Sequence, residues 1–249
     1  MRNHLQFLSA IFVGVFLFAL KGESRAGTLI SLNTPVGAMT LELDDAEKPQ
    51  TVSNFLSYLN SGRYENLFAH RLEPGFVLQT GGYALRENTV TRVEAFAPVA
   101  NEFTNDPRFS NLYGTIAMAK IGGDPDSATS EWFINLGDNS ANLDNQNGGF
   151  TVFGRVIAGF EVLESFNTTF NQQGSGGRGV YNATEALGSA FDTMPLLTNQ
   201  LRPEDLIFTE LAVIPEPGTL GFLAVAAGGG VLCGAVRRFR LRAHRDRRN

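Results

Sequence analysis

The apolar positions of this chain change their period several times. Residues 28–43, TLISLNTPVGAMTLEL, hold two short, partly alternating runs around a Pro-Val-Gly turn and predict a β-hairpin. After Lys48-Pro49-Gln50-Thr51 the spacing becomes helical, with Val52, Phe55, Leu56 and Leu59 on one side and Gly62 as a stop. Short apolar runs broken by turns follow at 68–72, 76–78, 114–119, 131–136 and 150–156. Residues 159–166 predict a second short helix, with Phe160, Leu163 and Phe166 on one face, and 205–214 (DLIFTELAVI) predicts a closing strand. Many short strands and few helices imply a mainly β domain, an antiparallel sandwich or barrel. Residues 167–202 begin with a Gly/Asn/Gln/Ser-rich stretch and read as a surface excursion. There is no internal repeat.

The two ends follow other rules. Residues 5–20 are almost unbroken apolar sequence after Arg2, and Ser24-Arg25-Ala26 places small residues before Gly27. That order predicts a secretory signal peptide over 1–26; an uncleaved anchor is the alternative. At the other end, residues 219–236 carry no charge and are just long enough to cross a bilayer as a helix. Seven arginines follow between Arg237 and Arg248, the signature of a cytoplasmic flank. Pro215-Glu216-Pro217, an apolar helix and an arginine-rich end together resemble the PEP-CTERM sorting signal of Gram-negative bacteria. That resemblance implies an exosortase-like processing enzyme as a partner and at least transient membrane contact; an ordinary C-terminal anchor is the alternative. The expected location is the periplasm or cell surface.

Removing the ends changes the charge. Residues 27–214 contain 10 Lys+Arg and 22 Asp+Glu, a net charge of −12, whereas the 249-residue chain carries −5. A body this acidic excludes nucleic acid as a natural partner, because it would repel the phosphates it must neutralise. The single cysteine, Cys233, lies in the tail, so the core must hold without disulfides.

The usual catalytic templates find no residues here. His70 is the only histidine of the body, with no nucleophile motif beside it and no cysteines to complete a zinc site. No Gly-rich phosphate loop joins a strand to a helix, and DPDSATSE lacks the spacing of a calcium loop. What stands out is HRLEPGFVLQTGG (70–82), which sets a basic pair beside an apolar run. With TVSNFLSYLNSGRY, GTIAMAK, DSATSEWFINLGDN and FTVFGRVIAGFEVLE it forms five blocks. In their order and spacing these blocks resemble a bacterial cyclophilin, a peptidyl-prolyl cis-trans isomerase. The resemblance covers about 28–166.

The resemblance implies a closed eight-stranded antiparallel β-barrel capped by two α-helices, over a single, monomeric domain at 27–214. It implies no cofactor, and proline-containing polypeptides as substrates. By position, Arg71 matches the catalytic arginine, and Gln79 the glutamine that supports it and the substrate. Phe76, Val77, Phe133 and Leu143 match the pocket for the proline ring. Ala119 and Lys120 match the segment that pairs with the substrate backbone, Lys120 through its main chain. His70 matches a supporting histidine rather than a base. Trp132 alternates with Phe133 and so faces the core. The chain departs from the family at several places: Val77 replaces a common methionine, and Asn142 stands where some eukaryotic members have a tryptophan. Glu131 replaces a common glutamine, Phe150 replaces a histidine or tyrosine at the pocket rim, and Ala69 replaces a phenylalanine before the His-Arg pair. A catalytically weak peptide-binding module is therefore the competing expectation.

Overall fold

A computed structural model describes residues 27–170 and 177–215. The expected signal peptide, the apolar tail segment and residues 171–176 of the excursion lie outside them. The described chain runs β1 (Leu29–Thr34), β2 (Gly37–Leu43), α1 (Pro49–Asn60), β3 (Arg71–Glu73), β4 (Val77–Thr80), β5 (Tyr83–Arg86) and β6 (Thr89–Arg92). It continues through β7 (Thr115–Met118), β8 (Trp132–Asn135), α2 (Ser140–Leu143), β9 (Val152–Ala158) and α3 (Phe160–Thr168). The final elements are β10 (Gly179–Tyr181), α4 (Thr184–Leu187), β11 (Met194–Leu196) and β12 (Glu210–Val213). Among the described residues, no helix is long and apolar enough to cross a membrane.

Eight strands form one antiparallel sheet in the order β12-β1-β2-β9-β7-β8-β4-β3. The predicted hairpin is the β1–β2 pair, the predicted helices are α1 and α3, and the closing strand is β12. The closed barrel is not formed. The end strands β12 and β3 share no ladder, and the sheet stays an open half-barrel. Their neighbouring segments meet at the Phe68–Phe208 bridge, with Ala69 N–H donating to Ile207 O at 2.8 Å and Thr209 N–H to Leu67 O at 2.9 Å. The cause is local. β3 is three residues long, and its outer edge is already taken where Leu72 N–H donates to Thr193 O at 2.8 Å.

The concave side is filled by α1, α3 and apolar residues from nearly every strand. Phe55 of α1 is fully buried and meets Trp132, Phe153 and Tyr64 with ring centroids 5.4–5.6 Å apart. Burying a side chain of this size stabilises by about 1.5–3 kcal/mol, and each edge-on ring pair adds about 0.5–1.5 kcal/mol. The start of α1 is unusual because Lys48 occupies the N-cap and caps nothing with its side chain. Glu102, distant in sequence, does so instead: its carboxylate accepts from Thr51 N–H at 2.7 Å, Thr51 Oγ1 at 2.7 Å and Gln50 N–H at 3.2 Å. Lys48 is buried and donates Nζ to Glu102 O at 2.7 Å.

Two elements were not legible in the pattern. The β5–β6 hairpin turns at Glu87 and Asn88, both left-handed (φ 51° and 61°), without the glycine that normally advertises such a turn. The excursion is also more than surface loop. Its described part buries Phe191, Met194 and Leu196 in a second cluster with Phe68 and Leu206. Because Glu102 joins α1 to the loop before β7, Glu102→Ala is expected to lower the unfolding free energy by about 1–3 kcal/mol. Urea denaturation checks this, and an unchanged midpoint would show that water caps the helix equally well.

Candidate active site

Strand alternation divides HRLEPGFVLQTGG between two faces. Leu72, Leu78 and Thr80 point inward, whereas Arg71, Glu73, Val77 and Gln79 point to the convex side. Register then builds a row. Arg71 lies opposite Gln79, Gln79 opposite Phe133, and Phe133 opposite Ala117, across β3, β4, β8 and β7. Paired residues share a face, so these four side chains form one row on the side of the sheet away from the core. Their inward neighbours Leu72, Leu78, Ile134 and Ile116 belong to the core, as does fully buried Trp132.

Beside the row lies an apolar cluster separate from the core. Val77, Phe133 and Leu143 are buried in it, with half-buried Phe76, Ala119 and Phe150 at its rim. Phe133 and Phe150 meet edge to face at 5.9 Å. Sequence reasoning named these residues but missed Phe109, Ala117 and Val152, which close the same cluster from behind. It also missed the polar frame that holds the walls. Asn139 Nδ2 donates to Phe76 O at 2.8 Å and to Asn135 Oδ1 at 2.7 Å. Asn111 Nδ2 donates to Phe150 O at 3.0 Å and to Asp144 Oδ1 at 2.8 Å. Buried amides with several partners fix geometry, since each broken bond leaves a desolvated group unpaired. The only sequence signal for this frame is the density of Asn around 135–145.

Arg71 is about a third exposed, and its Nη2 stands 3.5 Å from Glu73 Oε1. Gln79 Nε2 donates to Glu131 Oε2 at 2.8 Å, so the amide supports the acid rather than the guanidinium. Glu131 Oε1 also takes Arg92 Nη2 at 3.2 Å, which leaves the acid paired across the groove and not with Arg71. Gly81 and Gly82 permit this closeness. Gly81 is left-handed (φ 83°), and a Cβ on Gly82 would lie 2.8 Å from the Glu131 carboxyl carbon. His70 is buried with its Nε2 3.7 Å from Glu131 Oε2. Burial first, then the charges of Arg71 and Arg92, push its pKa down to about 3. The imidazole is neutral at physiological pH. Lys120 does more than its backbone role implies: its Nζ donates to Asn147 O at 2.8 Å and Gly149 O at 2.6 Å, and lies 4.9 Å from the Phe150 ring. It pins the 147–149 turn beside the pocket. Ala119 N–H donates to Glu131 O at 2.9 Å.

The family description "Cyclophilin type peptidyl-prolyl cis-trans isomerase/CLD" matches residues 29–182. The chain belongs to the cyclophilin family. This cyclophilin is 42% identical over 146 residues to peptidyl-prolyl cis-trans isomerase A of Dickeya dadantii, covering 58% of this chain and 73% of that one. It is 41% identical over 140 residues to the Streptomyces antibioticus isomerase cyp18, covering 55% and 81%. Its fold is similar to that of a cyclophilin from Cryptosporidium parvum, with TM-score 0.52 and 20% identity, over 76% of this chain and 99% of that one. A second structure of that protein was solved in the presence of the dipeptide Ala-Pro.

The buried imidazole makes a testable link to stability. Its folded pKa is lowered, so below pH 6.5 the unfolded chain binds a proton that the folded one refuses. His70 therefore costs about 1.4 kcal/mol of stability per pH unit from 6.5 down toward 3, and nothing above 6.5. Urea midpoints at pH 7, 6 and 5 are expected to fall more steeply in the native chain than in His70→Gln. Parallel slopes would mean that the folded imidazole titrates freely.

Proposed function

We propose that this cyclophilin accelerates rotation about X-Pro bonds in exported polypeptides, with Arg71 as the group that acts on the amide. An X-Pro bond prefers trans by only about 0.5–1 kcal/mol, yet it interconverts in tens to hundreds of seconds. The obstacle is amide resonance, which sets a barrier of about 18–20 kcal/mol. No bond breaks and no proton leaves. The nitrogen lone pair has only to be uncoupled from the carbonyl, and a donor that bonds the pyramidal nitrogen favours the twisted state selectively. A guanidinium suits the task because it stays charged and fixes its donors in a plane.

The observation that carries this reading is the cross-strand row, which sets Arg71 on the same face as an apolar cluster separate from the core. Phe76, Val77, Phe133, Leu143 and Phe150 grip the proline ring. Ala119 has spent its N–H on Glu131, so pairing with the peptide falls to its carbonyl and to the main chain of Lys120. Glu131, held by Gln79 and Arg92, lines the far side as a substrate contact, and neutral His70 closes the floor. Arg71→Ala is expected to lose at least about tenfold in kcat/KM on an Ala-Pro peptide, about 1.4 kcal/mol of transition-state stabilisation. A protease-coupled assay reads this, and a variant as fast as the native chain would overturn the role of Arg71.

Export and sorting rest on the sequence of the two ends. A leader over 1–26 and a PEP-CTERM-like tail over 215–249 would deliver the domain to the periplasm or cell surface and hold it there at least transiently. An exosortase-like enzyme would cut near Pro215. Mass spectrometry of the protein recovered from cells is expected to find an N-terminus at Gly27 and a C-terminus near Pro215. An intact arginine tail in the membrane fraction would instead establish a permanent anchor.

A further inference from the structure

Arg71 lies on a three-residue strand at the end of the sheet, a poor mount for a group that must meet one nitrogen atom. An end strand has one ladder partner, and short edges fray. In this chain the other side of β3 is occupied. Leu72 N–H, the residue after Arg71, donates to Thr193 O at 2.8 Å. Two residues earlier Phe191, almost fully buried, meets His70 at 6.2 Å, Tyr83 at 4.6 Å and Phe68 at 6.3 Å between ring centroids. Tyr83 meets His70 edge-on at 5.0 Å and lies 5.7 Å from the Arg92 guanidinium. Arg92 holds Glu131, and Glu131 holds Gln79. One ring thus reaches the first two members of the row, by way of His70 to Arg71 and by way of Tyr83, Arg92 and Glu131 to Gln79.

The segment that supplies this ring has a structure of its own. β10 and β11 pair from Gly179–Leu196 to Tyr181–Met194, and Ala183 N–H donates to Phe191 O at 2.8 Å. Asp205 is buried and accepts from Thr198 Oγ1 at 2.8 Å and Arg202 Nε at 2.7 Å. From Ala183 onward it lies beyond the residues that the family description matches.

We propose that residues 177–208 are an internal brace for the catalytic row, and that Phe191 is the positioning residue through which the brace holds His70 and Arg71. Phe191 touches no substrate. It seals the imidazole from water and presses β3 onto β4, so its loss acts on turnover through Arg71. The groups facing His70 are Arg71 on β3, Tyr83 on β5, Arg92 on β6 and Glu131 before β8. Opening the Phe191 side therefore removes desolvation, the first cause of the low imidazole pKa, while leaving those charges in place.

The test compares the full chain with Phe191→Ala and Phe191→Leu. The proposal rests on the isomerase reading, so the native chain is assayed first. An inactive native chain would sink that reading, and the His70 titration would then decide the brace alone. Phe191→Ala is expected to lose at least about fivefold in kcat/KM, with the dissociation constant of a non-isomerising Ala-Pro analogue changed by less than about twofold. The His70 Cε1–H resonance should titrate well above the native value of about 3 and toward 6.5. Phe191→Leu should recover most of both. Unchanged kcat/KM in folded Phe191→Ala overturns the proposal, whatever the titration shows. A loss of turnover with an unmoved titration overturns the route through His70. Should the alanine variant fail to fold, Phe191→Val takes its place with the same expected losses, and native values in both readouts would overturn the proposal.

Discussion

Alternation along a β-strand sends successive side chains to opposite faces, and here it lets a single sheet be a core on one side and a cleft on the other. Leu72, Leu78, Ile134 and Ile116 form one row facing inward, while Arg71, Gln79, Phe133 and Ala117 form the adjacent row facing out. A slip of one residue in any of these ladders would exchange the two rows and bury the arginine. The hydrophobic effect that fixes the inward row therefore fixes the outward one. Precision at the amide is a by-product of packing beneath it.

This coupling explains why much of the site was legible without coordinates. Arg71 beside Leu72 marks two faces in β3, whereas the wholly apolar run Phe76-Val77-Leu78 marks none in β4. Ordered blocks resembling a known family then said which residue should meet which. The parts that stayed hidden depend on long-range partners that no local pattern encodes. Arg92 reaches Glu131 from a hairpin whose Glu87-Asn88 turn has no glycine to mark it. Glu102 caps a helix about fifty residues away in the chain. The open sheet was unreadable for the same reason: the outer edge of β3 is bonded to Thr193, a residue about 120 positions away in the chain.

The departures from the family pattern also change meaning once their neighbours are known. Glu131 adds a carboxylate near Arg71, which on charge alone should draw the guanidinium toward itself. Gln79 and Arg92 absorb it instead, and Arg71 keeps only a long contact to Glu73. Phe150 trades a polar rim for an apolar one and gains the edge of Phe133 and the ammonium of Lys120 as partners. The rim at this point is therefore apolar, and its ring is packed against both neighbours. Such a site is compatible with turnover because the reaction needs no water and no proton carrier.

Whether that geometry turns amides or merely holds them is decided most directly by two-dimensional NMR exchange on an Ala-Pro peptide with a small amount of the full chain. Cis and trans resonances are predicted to exchange far faster than the uncatalysed tens to hundreds of seconds, with the rate rising in proportion to protein concentration. Saturable shifts of the peptide resonances without any faster exchange would contradict the isomerase reading and leave a module that binds proline-containing chains.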